Sequence, residues 1–255
     1  MSGAREQFGS RIGFILAAAG SAVGIGNLVG FPVGAAKNGG GAFLLMYAIF
    51  VFAICLPVML AEMSVGRYAR KDPLGAYREI SGNAPQWKLA GWMAIATPFM
   101  IAVFYMVITV WIFGYLVEAV SGNLAKLANP ETFGTFINSS TVFAYMAVVV
   151  AVVYLILQGG VKKGIEKAAK LLMPALFVML LGLVVFVLTR ENAMAGVEFY
   201  LVPDFSKITA PVINGALSQA FFSLSLGMGI LITYGSYMNK QSDVPNSAKL
   251  VAITD

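Results

Sequence analysis

Gly20-Ser21-Ala22-Val23-Gly24-Ile25-Gly26-Asn27 and Ser223-Leu224-Ser225-Leu226-Gly227-Met228-Gly229 are the two stretches on which the reading of this chain turns. Each lies in the middle of an apolar segment long enough to cross a bilayer. Each sets glycines beside polar side chains where a helix tolerates them least. Glycine in a helix interior costs about 1 kcal/mol relative to alanine. Small residues also let helices pack closely, and either stretch alone fits that purpose equally well. Both together, each with polar side chains beside the glycines, favour two broken helices. Non-helical backbone survives at membrane depth only where it lines a cavity or is buried in protein. The broken ends would turn amide N–H groups towards an anion and carbonyl oxygens towards a cation.

The surrounding composition fixes the setting. The chain has 255 residues, of which 59% are apolar and 11% charged, against roughly 25% charged in a soluble domain. Mean hydropathy is +0.81. So few charges cannot cover a soluble surface, and the same arithmetic excludes a disordered chain. Six segments, roughly 12–36, 42–66, 89–119, 141–158, 168–189 and 212–238, approach or exceed the ~20 apolar residues of a spanning helix. The fold class is therefore an all-α integral membrane bundle. Strand alternation is absent, which rejects a β-barrel. The first segment is too long for a cleaved signal peptide, and its glycines and serine are interior. The chain has no histidine, which removes Ser-His and Cys-His catalysis and imidazole metal ligands. Without paired carboxylates in a span either, an enzyme is not expected. Cys55 stands alone and cannot form an internal disulfide.

Positive charge is distributed unevenly between the joints. One set holds Arg5, Arg11, Arg67, Arg70, Lys71, Arg78, Lys88, Lys162, Lys163, Lys167, Lys170, Lys240 and Lys249; the other holds Lys37, Lys126, Arg190 and Lys207. The sets alternate with the spans, so the first is cytoplasmic and the N-terminus lies inside. The cluster from Lys162 to Lys170 reads as topogenic charge, with an anionic-lipid site as the alternative. Residues 72–84 read as a short cytoplasmic helix after Pro73. Residues 120–140 form a longer outer loop with a chance sequon at Asn138, and 190–210 an outer joint able to hold a short helix. Glu62 is the one acidic residue deep in a span. A carboxylate there needs a partner, and loose amides of a broken helix would serve. A protonated Glu62 bonded to a neighbouring helix is the plainer alternative.

At these residues the sequence resembles the neurotransmitter:sodium symporter family, the LeuT-type transporters. The resemblance rests on REQFGSRIGFILAAAGSAVGIGN (5–27), NGGGAF (38–43), PVMLAEMSVGRY (57–68), KGIEKAAKLLMPALF (163–177), VPDFSKI (202–208) and QAFFSLSLGMGILITYGSY (219–237). These run in family order across nearly the whole chain. It implies an inverted-repeat fold in which spans 1 and 6 open two repeats of five, here 1–205 and 206–255. Paired broken helices mark the site in such transporters, and LeuT is itself a type case of that rule. It implies sodium-coupled transport by alternating access. The carbonyl of Ala22, the Asn27 side chain and Ser223 would hold one sodium, and the carbonyls of Gly20 and Val23 part of a second. A substrate carboxylate would meet amides from Ala22 through Gly24 to Gly26, with the Tyr105 hydroxyl. The amine would face carbonyls near Ala22, Phe222 and Ser223, with Ser225 close by. Ile101, Phe222 and Met228 would line the side-chain pocket, and Phe222 with Tyr105 would form the outer lid. Members that carry monoamines place an aspartate at the position of Gly24. Its absence here points to a neutral, apolar amino acid that brings its own carboxylate. Tyr47, Gln219 and Ser223 match chloride-site positions, but chloride dependence stays open, because the deciding residue is expected in a seventh span beyond this sequence.

Two departures stand out. Gly30 replaces the family's outer-gate arginine, and Phe8 replaces an N-terminal tryptophan. Arg5 could still latch an inner gate with Ser236 and Tyr237. The fold also needs ten core spans. The expectation is a truncated chain, inactive alone, whose partner is the missing C-terminal half of the same protein, with the polar joint after span 6 ending at Asp255. A sodium- and amino-acid-binding sensor on the same scaffold is the alternative function.

Overall fold

A computed structural model describes residues 6–239 and 241–255. Ser10 opens the first helix: its backbone is extended and its hydroxyl accepts the Gly13 N–H at 3.0 Å, satisfying one of the unpaired amides of a helix start. That helix, α1 (Arg11–Ala22), stops at the glycine-rich stretch, and α2 (Gly26–Lys37) resumes at 51° to it. α2 begins with a π-helical turn over Gly26–Gly30, a feature that gathers at functional sites. α3 (Gly41–Ala69) is one long helix. Its own π turn, Val51–Cys55, comes just ahead of Pro57, whose ring would otherwise clash with the carbonyl four residues back. α4 (Pro73–Ile80) is the short helix expected in 72–84, capped by the Asp72 carboxylate on the Gly75 N–H at 2.9 Å. α5 (Pro85–Val120), α6 (Thr141–Gln158) and α7 (Gly160–Leu188) follow. α7 starts well before the expected residue 168, because the π turn Gly160–Ile165 carries the helix back through the lysines. α8 (Ala193–Leu201) fills the 190–210 joint. The expected loop 120–140 is partly helical, at Leu124–Leu127 and Pro130–Ile137.

α3, α5, α6 and α7 are each long and apolar enough to cross a membrane, and the bent pair of α1 and α2 makes a fifth candidate. The stretch 212–238 is not one helix. It is α9 (Ala210–Ser223) and α10 (Ile230–Ser236) with an irregular turn between them. Ser225, Gly227 and Gly229 have φ of 56°, 74° and 69°, a left-handed backbone that a right-handed helix cannot continue through.

The polar joint expected at the end of the chain is a correction. Residues Val244–Thr254 form α11, capped by Asp243 on the Asn246 N–H at 3.0 Å. Val244, Ser247, Ala248, Val251 and Ala252 are buried against α1 and α3. These small and apolar residues recur at helical spacing and put Lys249 on the opposite, exposed face. The described chain therefore ends in a packed helix and not in a polar joint.

α3 is the spine of the core. Phe43, Tyr47, Val51, Cys55, Met59 and Met63 are all buried, a stripe at intervals of four that stays on one helix face. α9, α10 and α11 pack along this helix. The α3–α10 crossing is backbone on backbone: a Cβ on Gly66 would overlap the Ile232 carbonyl, and one on Gly235 the Met63 carbonyl. The far face of α7 instead presents Val178, Leu181 and Val185 outward. Gly66→Ala should force α10 off α3 at about 1–3 kcal/mol, the cost of overpacking, and lower the melting temperature of the detergent-purified protein. Gly182→Ala, where nothing lies within 4 Å, should melt like the parent.

Candidate functional site

The two breaks face one another. α1 ends at Val23, whose N–H still reaches the Ala19 carbonyl at 2.7 Å, and the chain then turns through Gly24 and Ile25. The last carbonyls of a helix have no intrahelical partner. Those of Gly20, Ala22 and Val23 thus sit at the negative end of α1. Ser21 is the exception: its carbonyl accepts the Ser225 hydroxyl at 3.3 Å, tying the first break to the second. Asn27 folds back so that its Oδ1 accepts the Gly24 N–H at 3.2 Å, and its Nδ2 donates to Ser223 Oγ at 2.9 Å. Gln219 Nε2 donates to the Gly26 carbonyl at 3.1 Å.

Between the breaks and α5 lies a cavity of about 400 Å³. Ala22, Gly24, Gly26, Ile101, Tyr105, Phe222, Ser223, Ser225 and Met228, the substrate-side residues expected from the sequence, all line it, as do Gly20 and Asn27. Val23 does not. It packs against α7 with Ala19 and Met173. The Tyr105 and Phe222 rings stand 6.2 Å apart at the cavity's edge. Gly26 is the floor beneath them: a Cβ there would lie 3.3 Å from the Phe222 ring and 3.7 Å from the Tyr105 hydroxyl. Ser21 and Ile25, from the first glycine-rich stretch, also line the cavity, as do Pro98, Ala102, Thr109 and Ile230, which the sequence does not single out. Thr109 could have been found from its spacing: it lies one helical turn beyond Tyr105 on the face that carries Ile101.

The residue missed altogether is Asp255. Its Oδ1 accepts Asn27 Nδ2 at 2.8 Å and Ser223 Oγ at 2.6 Å, and its Oδ2 accepts the Tyr47 hydroxyl. α11 thus delivers a carboxylate to the meeting point of residues expected from the sequence at the sodium and chloride sites. Tyr47 and Ser223 share it, while Gln219 turns away to Gly26. Ser223 and Asp255 bring hard oxygen donors together beside the carbonyl end of α1, a chemistry that suits a small monovalent cation. Asn27 meets them with its Nδ2 and keeps its Oδ1 on the Gly24 N–H, so it would ligate a cation only with its amide reversed.

The other expected positions are found as follows. Glu62 Oε1 accepts the Gly227 N–H at 2.7 Å, the kind of loose amide its place in the span calls for. Its Oε2 is buried without a partner among the described residues. Gly30 faces Gln219: a Cβ there would lie 3.6 Å from its Oε1, so no gating cation stands at this position. Ser236 is buried and donates to the Thr233 carbonyl at 2.6 Å. The Tyr237 carbonyl accepts the Phe8 N–H at 3.2 Å, and the two rings lie 6.4 Å apart. Arg5 lies outside the described residues.

A helical membrane protein with a broken first span and a cavity at the break has the form of a secondary transporter. The comparisons agree. The chain matches the sodium:neurotransmitter symporter family over residues 5–135 and 131–255, and it belongs to that family, one of multi-pass membrane transporters and not of enzymes. An uncharacterized sodium-dependent transporter of Bacillus subtilis, YhdH, is 39% identical over 97% of this chain and 55% of its own length. Another from Methanocaldococcus jannaschii, MJ1319, is 37% identical over 98% of this chain and 52% of its own. The crystal structure of MhsT in complex with L-phenylalanine superposes with a TM-score of 0.86 at 45% identity, over 98% of this chain and 57% of that one. The chain spans about half the length of the curated relatives it matches.

Asp255→Ala should strand the Tyr47 and Ser223 hydroxyls and the Asn27 amide at about 1–3 kcal/mol for each buried group left unpaired. The melting temperature should drop, and Asp255→Asn, which keeps an acceptor oxygen, should recover part of the loss.

Proposed function

We propose that this chain carries the ion- and substrate-binding repeat of a sodium-coupled symporter for a neutral, apolar amino acid, working by alternating access. The observation that carries the reading is the cavity between the two broken helices, lined both by polar groups of the breaks and by Ile101, Phe222 and Met228. Two findings support it: the relatives are named as sodium-dependent transporters, and MhsT was crystallised with L-phenylalanine. Gly24, where monoamine carriers place an acid, leaves room for a substrate that supplies its own carboxylate.

In this reading α1–α2 and α9–α10 are spans 1 and 6 of a six-span segment, the N-terminus is cytoplasmic, and a second repeat begins near residue 206. One sodium binds to the Ala22 carbonyl, Asn27 and Ser223, with Asp255 as the charged ligand. The carbonyls of Gly20 and Val23 contribute to a second. The substrate carboxylate meets the amide of Gly24, in place of Asn27 Oδ1, the amide of Gly26 at the open start of α2, and the Tyr105 hydroxyl. The amine meets the carbonyl end of α9 at Phe222 and Ser223 together with Ser225. Sodium shifts the outward–inward equilibrium only by the difference in its affinity for the two states, and each charge that crosses the full field adds about 2.3 kcal/mol per 100 mV.

The test is uptake by the protein as its cell makes it, reconstituted into liposomes with sodium outside. Labelled leucine or phenylalanine should accumulate against its gradient. Choline in place of sodium should abolish uptake, and Asn27→Ala should raise the half-saturating sodium by about tenfold or more, the value of a lost ion ligand. Sodium-dependent binding without gradient-driven accumulation would instead identify a sensor.

Asp255 bears on the chloride positions. A carboxylate already bonded to Tyr47 and Ser223 supplies the negative charge that an anion would bring. Replacing chloride by gluconate should therefore leave uptake unchanged, and Asp255→Ser should make it chloride-dependent. A chloride requirement in the parent protein would refute this assignment.

A further inference from the structure

Glu166 is a buried carboxylate, 2% exposed, on α7 near the amino end of α1. Its Oε2 accepts the Gly9 N–H at 2.6 Å, and its Oε1 accepts the Ser10 hydroxyl at 2.8 Å and the Lys170 ammonium at 2.6 Å. Ser10 is the N-cap of α1, so its hydroxyl links the helix start to Glu166. Gly13 makes room for the carboxylate, since a Cβ there would overlap it. Nearby, Glu6 accepts the Val161 N–H at 2.7 Å at the opening turn of α7, and Phe8 packs among Phe14, Tyr234 and Tyr237. The 12 residues of α1 make a rod of roughly 18 Å. One end is bound to Glu166. The other carries the carbonyls of Gly20, Ala22 and Val23.

We propose that Glu166 is a positioning residue for transport: it holds the N-cap of α1 against α7, and release of Ser10 and Gly9 from its carboxylate is the step that lets the inner half of the first span swing away. This rests on the alternating-access reading above. The swing would open a second, largely apolar cavity of about 370 Å³, lined by Phe8, Ile95, Ile230, Thr233, Tyr234 and Tyr237, to the cytoplasm. A carboxylate suits this task better than an apolar contact. Its bonds to Gly9 and Ser10 are charge-assisted, short and directional when made. Once broken, the Ser10 hydroxyl and Gly9 amide regain partners in water, while the carboxylate keeps Lys170 on its own helix and gains water, so the net difference between the states stays small. A reversible gate needs two states close in free energy.

The test places Thr233→Cys in the lower cavity as a reporter and follows its alkylation from the cytoplasmic side, in sodium and in choline. The native thiol, Cys55, is fully buried and gives the background. In sodium, Glu166→Ala should raise the reporter's rate by about tenfold, as expected for a lost charge-assisted bond. Gly13→Ala leaves Glu166 in the chain but displaces its carboxylate, and should do the same. Glu166→Gln keeps an acceptor and should fall between. A merely structural role would lower the melting temperature of these variants without changing the reporter's rate in the folded fraction. Parent-like rates in whichever of Glu166→Ala and Gly13→Ala folds overturn the proposal. If the parent's rate ignores sodium while both variants still raise it, the latch stands and the sodium-coupled reading fails.

Discussion

Hydrocarbon offers no water to a broken helix, so every amide and carbonyl that a break releases must find a partner inside the protein. Here the partners come largely from outside each break's own segment. Ser225 donates to Ser21, Gln219 to Gly26, and Glu62 accepts from Gly227. Asn27 satisfies Gly24 locally but spends its other end on Ser223 and Asp255. Neither break is therefore complete without the other, or without α3 and α11. The groups left over after this mutual satisfaction are the terminal carbonyls of α1 and the first amides of α2, and they surround the cavity.

That account needs a frame that cannot slide. α3 supplies it with its buried stripe from Phe43 to Met63 and with the close crossing at Gly66 and Gly235. A slip of α10 by one residue along α3 would put a side chain where only glycine fits. It would also move Gly227 off Glu62. The same helix thus fixes both the apolar core and the depth of the second break.

Much of this was legible because it follows from local rules. Glycines beside polar residues at mid-span marked both breaks, an acid within a span asked for an amide partner, and Asp72-Pro73 marked the start of α4. α11 was not legible, because Asn246 and Lys249 interrupt its apolar run and its buried face uses small residues as much as large ones. Asp255 was missed for a related reason: a single carboxylate beyond an unrecognised helix forms no pattern until the fold sets it beside Tyr47, Asn27 and Ser223. Glu166 was hidden by its neighbours. Lys162, Lys163, Lys167 and Lys170 read as topogenic charge, and only the return of residues 6–10 across α7 shows that the acid among them has partners besides Lys170. The family resemblance placed the cavity-lining residues, but it could not say how Gly30 and Phe8 are accommodated. Gln219 faces the first and an aromatic cluster receives the second.

α1 joins these observations into one mechanical element. It is short, carries no proline, and is held at two ends by different chemistry: oxygen donors around a cation in the proposed site, and charge-assisted bonds to Glu166 at its cap. A rigid rod cannot leave one anchor without straining the other. A cation that binds only when the carbonyls of α1 face Asn27 and Ser223 must therefore also favour the closed cap, with no contact of its own at Glu166. The coupling needs no chain of intermediaries beyond a helix of 12 residues. Its strength is bounded by the weaker anchor, since the element that yields first sets the difference in free energy between the two states. The cap is the anchor exposed to water once opened, where every broken bond is replaced. It is therefore the weaker one, and under the proposed cycle it limits how much of the ion's binding free energy reaches the cap.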